Sequence, residues 1–391
     1  MKGFLTIFAL IITNLLFSQQ MKIGVLRDYA VKKINLTYHS GSYSIYADTV
    51  YLGSILPNEF VDLSLADSNK IWLKRGVVDM GAYSKIRLIE NQVNSSITLT
   101  AKSPNIKSRR YKNDFEVSNV KNQLLIVNAV DMDNYLMGVV ESEGGGGREL
   151  DYYKVQGLMS RTYALKNKNR HAKEGFNLCD RVHCQAYHHM LRYTLKIDTA
   201  VSQTHNMVLL DENNELIDTY FHANCGGQTC EPDYVWNEKV PYLNTFLDTF
   251  CLYTKQANWE DRVPKEKWKD FLVEKYNYPI QDSFFLSTMY TFNQAQRMAF
   301  YISPVLGIPL RDLRENFKLK STFFSCYPEG EMVVIQGKGY GHGVGLCQEG
   351  AMKMAKYGLN FQQICNFYFP GARIEKMDQI HYFQQQGDGK L

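Results

Sequence analysis

Four consecutive glycines, Gly144, Gly145, Gly146 and Gly147, separate two stretches of helical pattern, and no other feature restricts the fold as strongly. Such a run loses too much backbone entropy to be stable helix or strand, so the chain must turn there. Upstream, Asp131 is placed to cap a helix, its carboxylate taking a free backbone N–H of the first turn. Leu136, Val139 and Val140 follow at helical spacing as an apolar stripe. The next position on that stripe is Glu143. A carboxylate facing a core is costly to ionise, which raises its pKa toward the range a general acid needs at neutral pH. Glu141 lies about 200° round the helix and is expected to face away. The plainer alternative is that Glu143 ends the helix in solvent beside the glycines. A second helix is expected from about 149 to 168, with Val155, Leu158, Met159 and Leu165 apolar. Gln156, Ser160 and Tyr163 form a separate polar stripe, whose ordinary explanation is a solvated face.

This stretch resembles the SpoIID/LytB family, the sporulation stage II protein D type of cell-wall enzyme. The matching residues are Tyr135-Leu136, Gly138-Val139-Val140, Glu143, Lys154, Gln156 and Arg161-Thr162-Tyr163-Ala164. The family's catalytic glutamate falls on Glu143. The family usually starts the turn with Met-Pro where this chain has its glycines, which leaves the loop shape open but not the helix register. A second island follows a strand-like run, with His222, Gly226, Gly227, Thr229 and Trp236, and with Ala223 in place of the family's serine. A strand end followed by Gly-Gly suits a backbone that touches a ligand, and equally a tight turn with a buried histidine. A third island is glycine-rich: Gly337, Gly339, Gly341, His342, Gly343, Val344, Gly345, Gln348, Gly350 and Ala351. It is not a phosphate-binding loop, because no Gly-Lys-Ser/Thr stands at the required spacing. It resembles the family's long glycine–histidine signature. The resemblance points to glycan contacts at Gln156, Ser160, Arg161, Tyr163 and Tyr187, at His222, Asn224, Gly226 and Gly227, and at His342, Gly343 and Gln348.

Between the first two islands, His171, Cys179, His183 and Cys184 offer two imidazoles and two thiolates within 14 residues. That donor set suits a tetrahedral Zn²⁺. His183 and Cys184 are adjacent, so both can reach one ion only from a loop. From spacing alone a Cys179–Cys184 disulfide is as good an account in an oxidising compartment. Some sporulation members of the family carry zinc in a similar segment, which favours the metal. Four protein ligands would make it structural, holding the loop near Glu143, with no open position for chemistry. His188 and His189 are spare ligands if His171 is not one.

The remaining chain supplies context. Residues 1–18 have a charged start at Lys2, a short apolar core and Ser18 at a cleavage position, as in a signal peptide; the apolar run is short of the ~20 residues of a span. No later segment is apolar enough to span. Export to the periplasm or cell envelope is expected. Net charge is only +4 over 391 residues, which argues against nucleic acid as a partner. Residues 19–125 read as a β-rich scaffold or glycan-positioning region, with strands expected at 21–26, 33–38, 42–46, 96–99 and 124–128. A mixed α/β catalytic domain of SpoIID type is expected over 126–375, giving an α+β chain, with a charged, helical insert at 252–318 and a polar tail at 376–391. A hairpin is expected from 206–210 and 216–223, and strands at 319–324 and 332–336. Among the eight cysteines, Cys230–Cys251 and Cys225–Cys347 are the suggested pairings, beside the unassigned Cys326 and Cys365.

The resemblance implies a peptidoglycan lytic transglycosylase acting on glycan strands stripped of stem peptides. Glu143 would serve alone as acid and base, since the sugar's own C6 hydroxyl is the nucleophile. Hydrolytic glycosidases usually need a carboxylate pair, and only Asp180 and Glu349 offer themselves as a second acid. The competing expectations are a non-catalytic glycan-binding or amidase-enhancing protein, with a cell-wall amidase as partner, and a zinc hydrolase, which needs an open coordination position.

Overall fold

The computed structural model describes residues 20–379. The expected leader and the end of the expected tail lie outside them. The chain forms two compact units, one of residues up to Tyr135 with Asn169–Met190, the other of Leu136–Lys168 with Leu191 onward.

The first unit is built from antiparallel strands. They are β1 (Gln20–Val25), β2 (Lys33–Ser40), β3 (Tyr43–Ala47), β4 (Val50–Ile55), β5 (Phe60–Leu65), β6 (Ile71–Arg75), β7 (Val78–Tyr83), β8 (Lys85–Glu90), β9 (Ser96–Ser103), β10 (Arg109–Lys112), β11 (Asp114–Val120) and β12 (Gln123–Asp131). A short β13 (Leu178–Cys179) pairs parallel with β1. One sheet runs β13-β1-β12-β11-β8-β3-β4 and the other β10-β9-β2-β5-β6-β7. The side-chain period of two explains the burial: Tyr43, Ile45 and Ala47 of β3 are inside, while Ser44 and Tyr46 are not. All five expected strands are present, and the β-rich region is richer than the pattern suggested.

The second unit is mixed. Helix α1 (Met132–Gly144) starts at the end of the first unit, where the Asp131 carboxylate accepts from the Asp133 and Asn134 N–H groups as an N-cap. Then come α2 (Leu150–Lys166), α3 (Lys196–Gln203), β14 (Met207–Leu210), β15 (Phe221–His222) and α4 (Asp233–Trp236). The expected hairpin is present only as a short one, with a single antiparallel bridge between Leu210 and Leu216 and the Ile217 N–H donating to the Leu209 carbonyl at 3.2 Å. β14 pairs with β20 (Arg373–Lys376), and β15 pairs parallel with β19 (Leu346–Cys347). The stretch expected to be helical insert opens as a strand, β16 (Asn258–Pro264), because Pro264 separates it from α5 (Lys265–Tyr276). β16 joins β18 (Met332–Lys338) and β17 (Phe324–Glu329), and α6 (Ser283–Thr288) and α7 (Leu310–Phe317) complete the insert. The strand expected at 319–324 begins only at its last residue. Trp268, Leu272, Tyr301, Leu313, Val333 and Ile335 give this part its own core. α8 (Gln348–Lys356) and α9 (Phe361–Tyr368) close the unit, and α2 packs on both.

Candidate functional site

The two acids at the end of α1 exchange the roles that their helical positions suggested. Leu136, Val139 and Val140 are fully buried as expected. Glu143 is half-buried, but Glu141, expected to face away, is only 8% exposed. Its Oε2 accepts from the Arg192 N–H at 2.9 Å, and its Oε1 from Tyr193 and Thr194 at 3.0 and 2.9 Å. The helix face opposite the apolar stripe is therefore also covered, by the loop before α3. Glu141 fixes that loop, and Glu143 is left at the helix end.

The turn after Glu143 is held by Tyr153. Its hydroxyl donates to the Gly145 carbonyl at 2.9 Å and accepts from the Arg148 N–H at 3.1 Å. Gly145 and Gly147 have φ of 63° and 75°, a region costly for other residues. Helix α2 is buried almost all round, which overturns the solvated-face account of its polar stripe: Gln156 is 1% and Ser160 3% exposed, with Tyr163 half-buried. The Arg161 guanidinium lies inside and donates to the Thr204 and Met207 carbonyls at 2.5 and 3.3 Å. Tyr152 and Gln156 lie one turn apart on α2, and Tyr152 Oη and Gln156 Nε2 are buried without a hydrogen-bond partner. Burial holds the Tyr152 phenol well above its ordinary range, and the charges of Glu143 and Cys347 add to the rise. A Cβ at Gly144, the residue after Glu143, would stand 3.4 Å from the Tyr152 ring, so the end of α1 and Tyr152 are neighbours.

The β15–β19 pairing brings the other two islands together, with His222 opposite Cys347. His222 Nδ1 binds the Val344 carbonyl at 3.1 Å, while Nε2 is buried without a partner. The His342 ring stands 5.6 Å from His222, 5.1 Å from Trp236 and 6.4 Å from Tyr220. Trp236 is 41% exposed. Gly226 and Gly343 serve close packing within the protein: a Cβ at Gly226 would meet the Lys338 backbone at 2.7 Å, and one at Gly343 the Arg297 guanidinium at 2.8 Å. The Asn224 side chain is fully used, accepting from Gly226 N–H and donating to the Cys251 carbonyl, Thr254 and Glu349. Thr254 also donates to Glu349. Gln348 Nε2 is buried and unpaired. Beside it a groove is lined by Gly147, Arg148, Thr254, Glu349, Lys353 and Lys356.

Burial, with the nearby Arg314 and Arg297 charges, lowers the His342 pKa from 6.5 to about 4. His222 is also shifted down, chiefly by burial. Between pH 6.5 and about 4 the unfolded chain therefore binds more protons at His342 than the folded one. The stability that His342 contributes is complete above pH 6.5 and is lost as pH falls through this window. The wild-type melting temperature is expected to fall over that range more steeply than that of His342→Gln, which thermal unfolding at stepped pH measures.

In the first unit, His171, Cys179, His183 and Cys184 converge, one ligand atom from each lying within 4.8 Å of all the others. Cys184 Sγ is 3.5 Å from His171 Nε2 and 3.7 Å from His183 Nδ1, and Cys179 Sγ is 3.8 Å from His183 Nδ1. The Glu174 carboxylate binds His171 Nδ1 at 2.5 Å and so turns Nε2 inward, a common second partner for a ligating histidine. His188 is exposed and His189 half-buried, outside this group. Asp180 is buried in the same unit and receives Arg109 at 2.9 Å with the Leu26 and Arg27 N–H groups. Tyr187 is fully buried, donating to Asn128 at 3.0 Å between the rings of Tyr111 and Tyr135. All eight cysteines are free thiols. Cys230 and Cys251 are not paired, and Cys251 lies instead 3.3 Å from Cys225. Cys225 and Cys347 do meet, through an N–H to sulfur contact of 3.3 Å. Glu141, Tyr152, Asp248 and Arg297 have structural or site roles that no sequence motif announced.

The second unit is thus an α+β domain in which a helix-end carboxylate stands next to an α2 tyrosine, and the His222 strand pairs with the strand that follows the glycine–histidine loop. The stage II sporulation protein (SpoIID) family model matches residues 120–210. Stage II sporulation protein D of Bacillus subtilis is 25% identical over 272 residues, covering 64% of this chain and 76% of that protein. The Bacillus subtilis amidase enhancer is 25% identical over 289 residues, 61% of this chain and 40% of that protein. An uncharacterized protein of Brachyspira hyodysenteriae is 26% identical over 266 residues, 66% of this chain and 70% of that one. These matches support the likeness of the chain to the SpoIID/LytB family.

Proposed function

We propose that this chain is an exported peptidoglycan lytic transglycosylase with Glu143 as its single acid and base. The observation that carries the proposal is the half-buried Glu143 at the end of α1 beside Tyr152, with buried, unpaired donors at Tyr152, Gln156 and Gln348. Buried polar groups are normally satisfied, and a sugar's hydroxyl and acetamido groups suit such donors. Glu143 as the acid gives its proton to the glycosidic oxygen between N-acetylmuramic acid and N-acetylglucosamine, and the C1–O bond breaks. As carboxylate it then takes the proton of the C6 hydroxyl, whose oxygen closes on C1 as a 1,6-anhydro ring. The intramolecular nucleophile supplies the effective concentration a water would lack. Trp236 offers an exposed ring for sugar stacking, and Arg148, Lys353 and Lys356 offer cations to the lactyl carboxylates of a glycan without stem peptides. His171, Cys179, His183 and Cys184 would hold a zinc ion; as a closed set of four it would lend the 169–190 segment rigidity and no chemistry.

Likeness to the amidase enhancer favours a second possibility, a glycan-binding protein that acts through a cell-wall amidase without turnover. Mass spectrometry of products from denuded and intact peptidoglycan separates the two. Anhydro-muramyl ends, more abundant from the denuded strands, are expected. Reducing ends would mean hydrolysis and point to Glu349 as a second acid. Binding without cleavage of either substrate would overturn the enzyme in favour of the enhancer.

A further inference from the structure

We infer that the second unit holds its own structural zinc site, formed by Cys225, Asp248, Cys251 and Cys347. The four side chains come from three separate places: the turn after β15, the 248–251 segment, and the residue that caps α8. All four are buried, and one ligand atom from each lies within 4.8 Å of every other. A tetrahedral ion with metal–sulfur bonds of about 2.3 Å requires sulfur–sulfur edges of about 3.8 Å. The cluster is therefore the size of a single-ion site. Three sulfurs and one carboxylate oxygen are a donor set that thiolate-loving Zn²⁺ accepts, and one that Mg²⁺ or Ca²⁺ does not favour.

The surroundings are built for thiolates and a bound carboxylate. Cys347 Sγ accepts two backbone N–H groups, from Cys225 at 3.3 Å and from Gly350 at 3.4 Å, at the N-terminus of α8. The Asp248 carboxylate is oriented by the Tyr368 hydroxyl at 2.8 Å and by the Phe250 N–H at 3.0 Å. Such outer partners are what a ligating group requires. Gly350 is needed for closure, since a Cβ there would stand 2.2 Å from Tyr368 Oη and 2.6 Å from Asp248 Oδ2. A Cys225–Cys251 disulfide is the rival. Their sulfurs are 3.3 Å apart, well beyond the ~2.05 Å of a bond. It would also leave the buried Cys347 thiol and Asp248 carboxylate of the cluster outside the bond. A divalent cation offsets half of the charge of three thiolates and a carboxylate, and the backbone N–H groups on Cys347 Sγ stabilise part of the rest. The ion would tie the His222 turn to the start of α8, and so hold Glu349, whose N–H donates to the Ala223 carbonyl, against Asn224.

The test uses the full chain carrying Cys179→Ser and Cys184→Ser, which removes the other candidate site. Inductively coupled plasma mass spectrometry is expected to find about one zinc per chain, falling to background when Asp248→Asn and Cys347→Ser are added. Should those variants not fold, the wild type decides by differential alkylation. Cys225, Cys251 and Cys347 are expected to resist a thiol reagent in the native protein and to react after dipicolinate strips zinc. Protection that is indifferent to chelator, or a Cys225–Cys251 disulfide peptide in the digest, overturns the site.

Discussion

Glu143→Gln is expected to slow glycan cleavage by about 10²–10⁴-fold, the usual worth of a positioned general acid, while leaving the melting temperature and glycan binding unchanged. The amide keeps the shape and polarity of the side chain but has no proton to give to the glycosidic oxygen. Glu143 is half-buried at the end of α1, where an isosteric change is accommodated. The control is Glu141→Ala, two residues back on the same helix. There the loss falls on stability, because the Arg192, Tyr193 and Thr194 N–H groups all lose their acceptor. Losing three part-buried hydrogen bonds to a carboxylate costs roughly 2–4 kcal/mol in all, or about 5–15 °C for a unit of this size. Product analysis and calorimetry on the two variants separate the roles. Equal loss of stability in both, or unimpaired cleavage by Glu143→Gln, would remove Glu143 from the chemistry.

The contrast between these two acids shows where sequence pattern carries and where it stops. Periodicity placed Leu136, Val139 and Val140 inside, and the Asp131 cap formed as its chemistry requires. Periodicity describes one helix against one core. It could not foresee that a loop more than 45 residues downstream would cover the other face and bury Glu141. The same limit explains β15 and β19. Two-residue strands have no pattern of their own, and their parallel pairing joins positions over 120 residues apart. The four metal-ligand candidates of the first unit were legible because they crowd into one short segment. Of Cys225, Asp248, Cys251 and Cys347 only the approach of Cys225 to Cys347 was suggested, since the fold alone gathers the set and an aspartate in a loop carries no signal. The helical forecast for the start of the insert failed at Pro264, which ends a strand there and opens α5.

Arg297→Met is expected to be the most damaging change in that insert, where no chemistry was foreseen. Arg297 is 6% exposed, yet its Nε donates to the Gln228 carbonyl and one Nη to the Cys225 carbonyl, both at 2.7 Å, with the other Nη 3.3 Å from Thr322 Oγ1. Its guanidinium also stacks 4.9 Å from the Phe323 ring and fills the space that Gly343 leaves by lacking a side chain. One side chain thus joins the insert to both the His222 turn and the glycine–histidine loop. Methionine keeps most of the volume but donates nothing, so buried carbonyls at 225 and 228 lose their partner. The expected cost is roughly 3 kcal/mol, or about 6–12 °C in melting temperature. Lysine restores the charge without the planar fork and is expected to recover less than half of the loss. Because the carbonyl of Cys225 is one of the groups released, the variant should also lose glycan cleavage at temperatures where it remains folded. Calorimetry and cleavage assays on Arg297→Met and Arg297→Lys measure both effects. Full cleavage by a destabilised but folded Arg297→Met would confine Arg297 to the insert and detach it from the site.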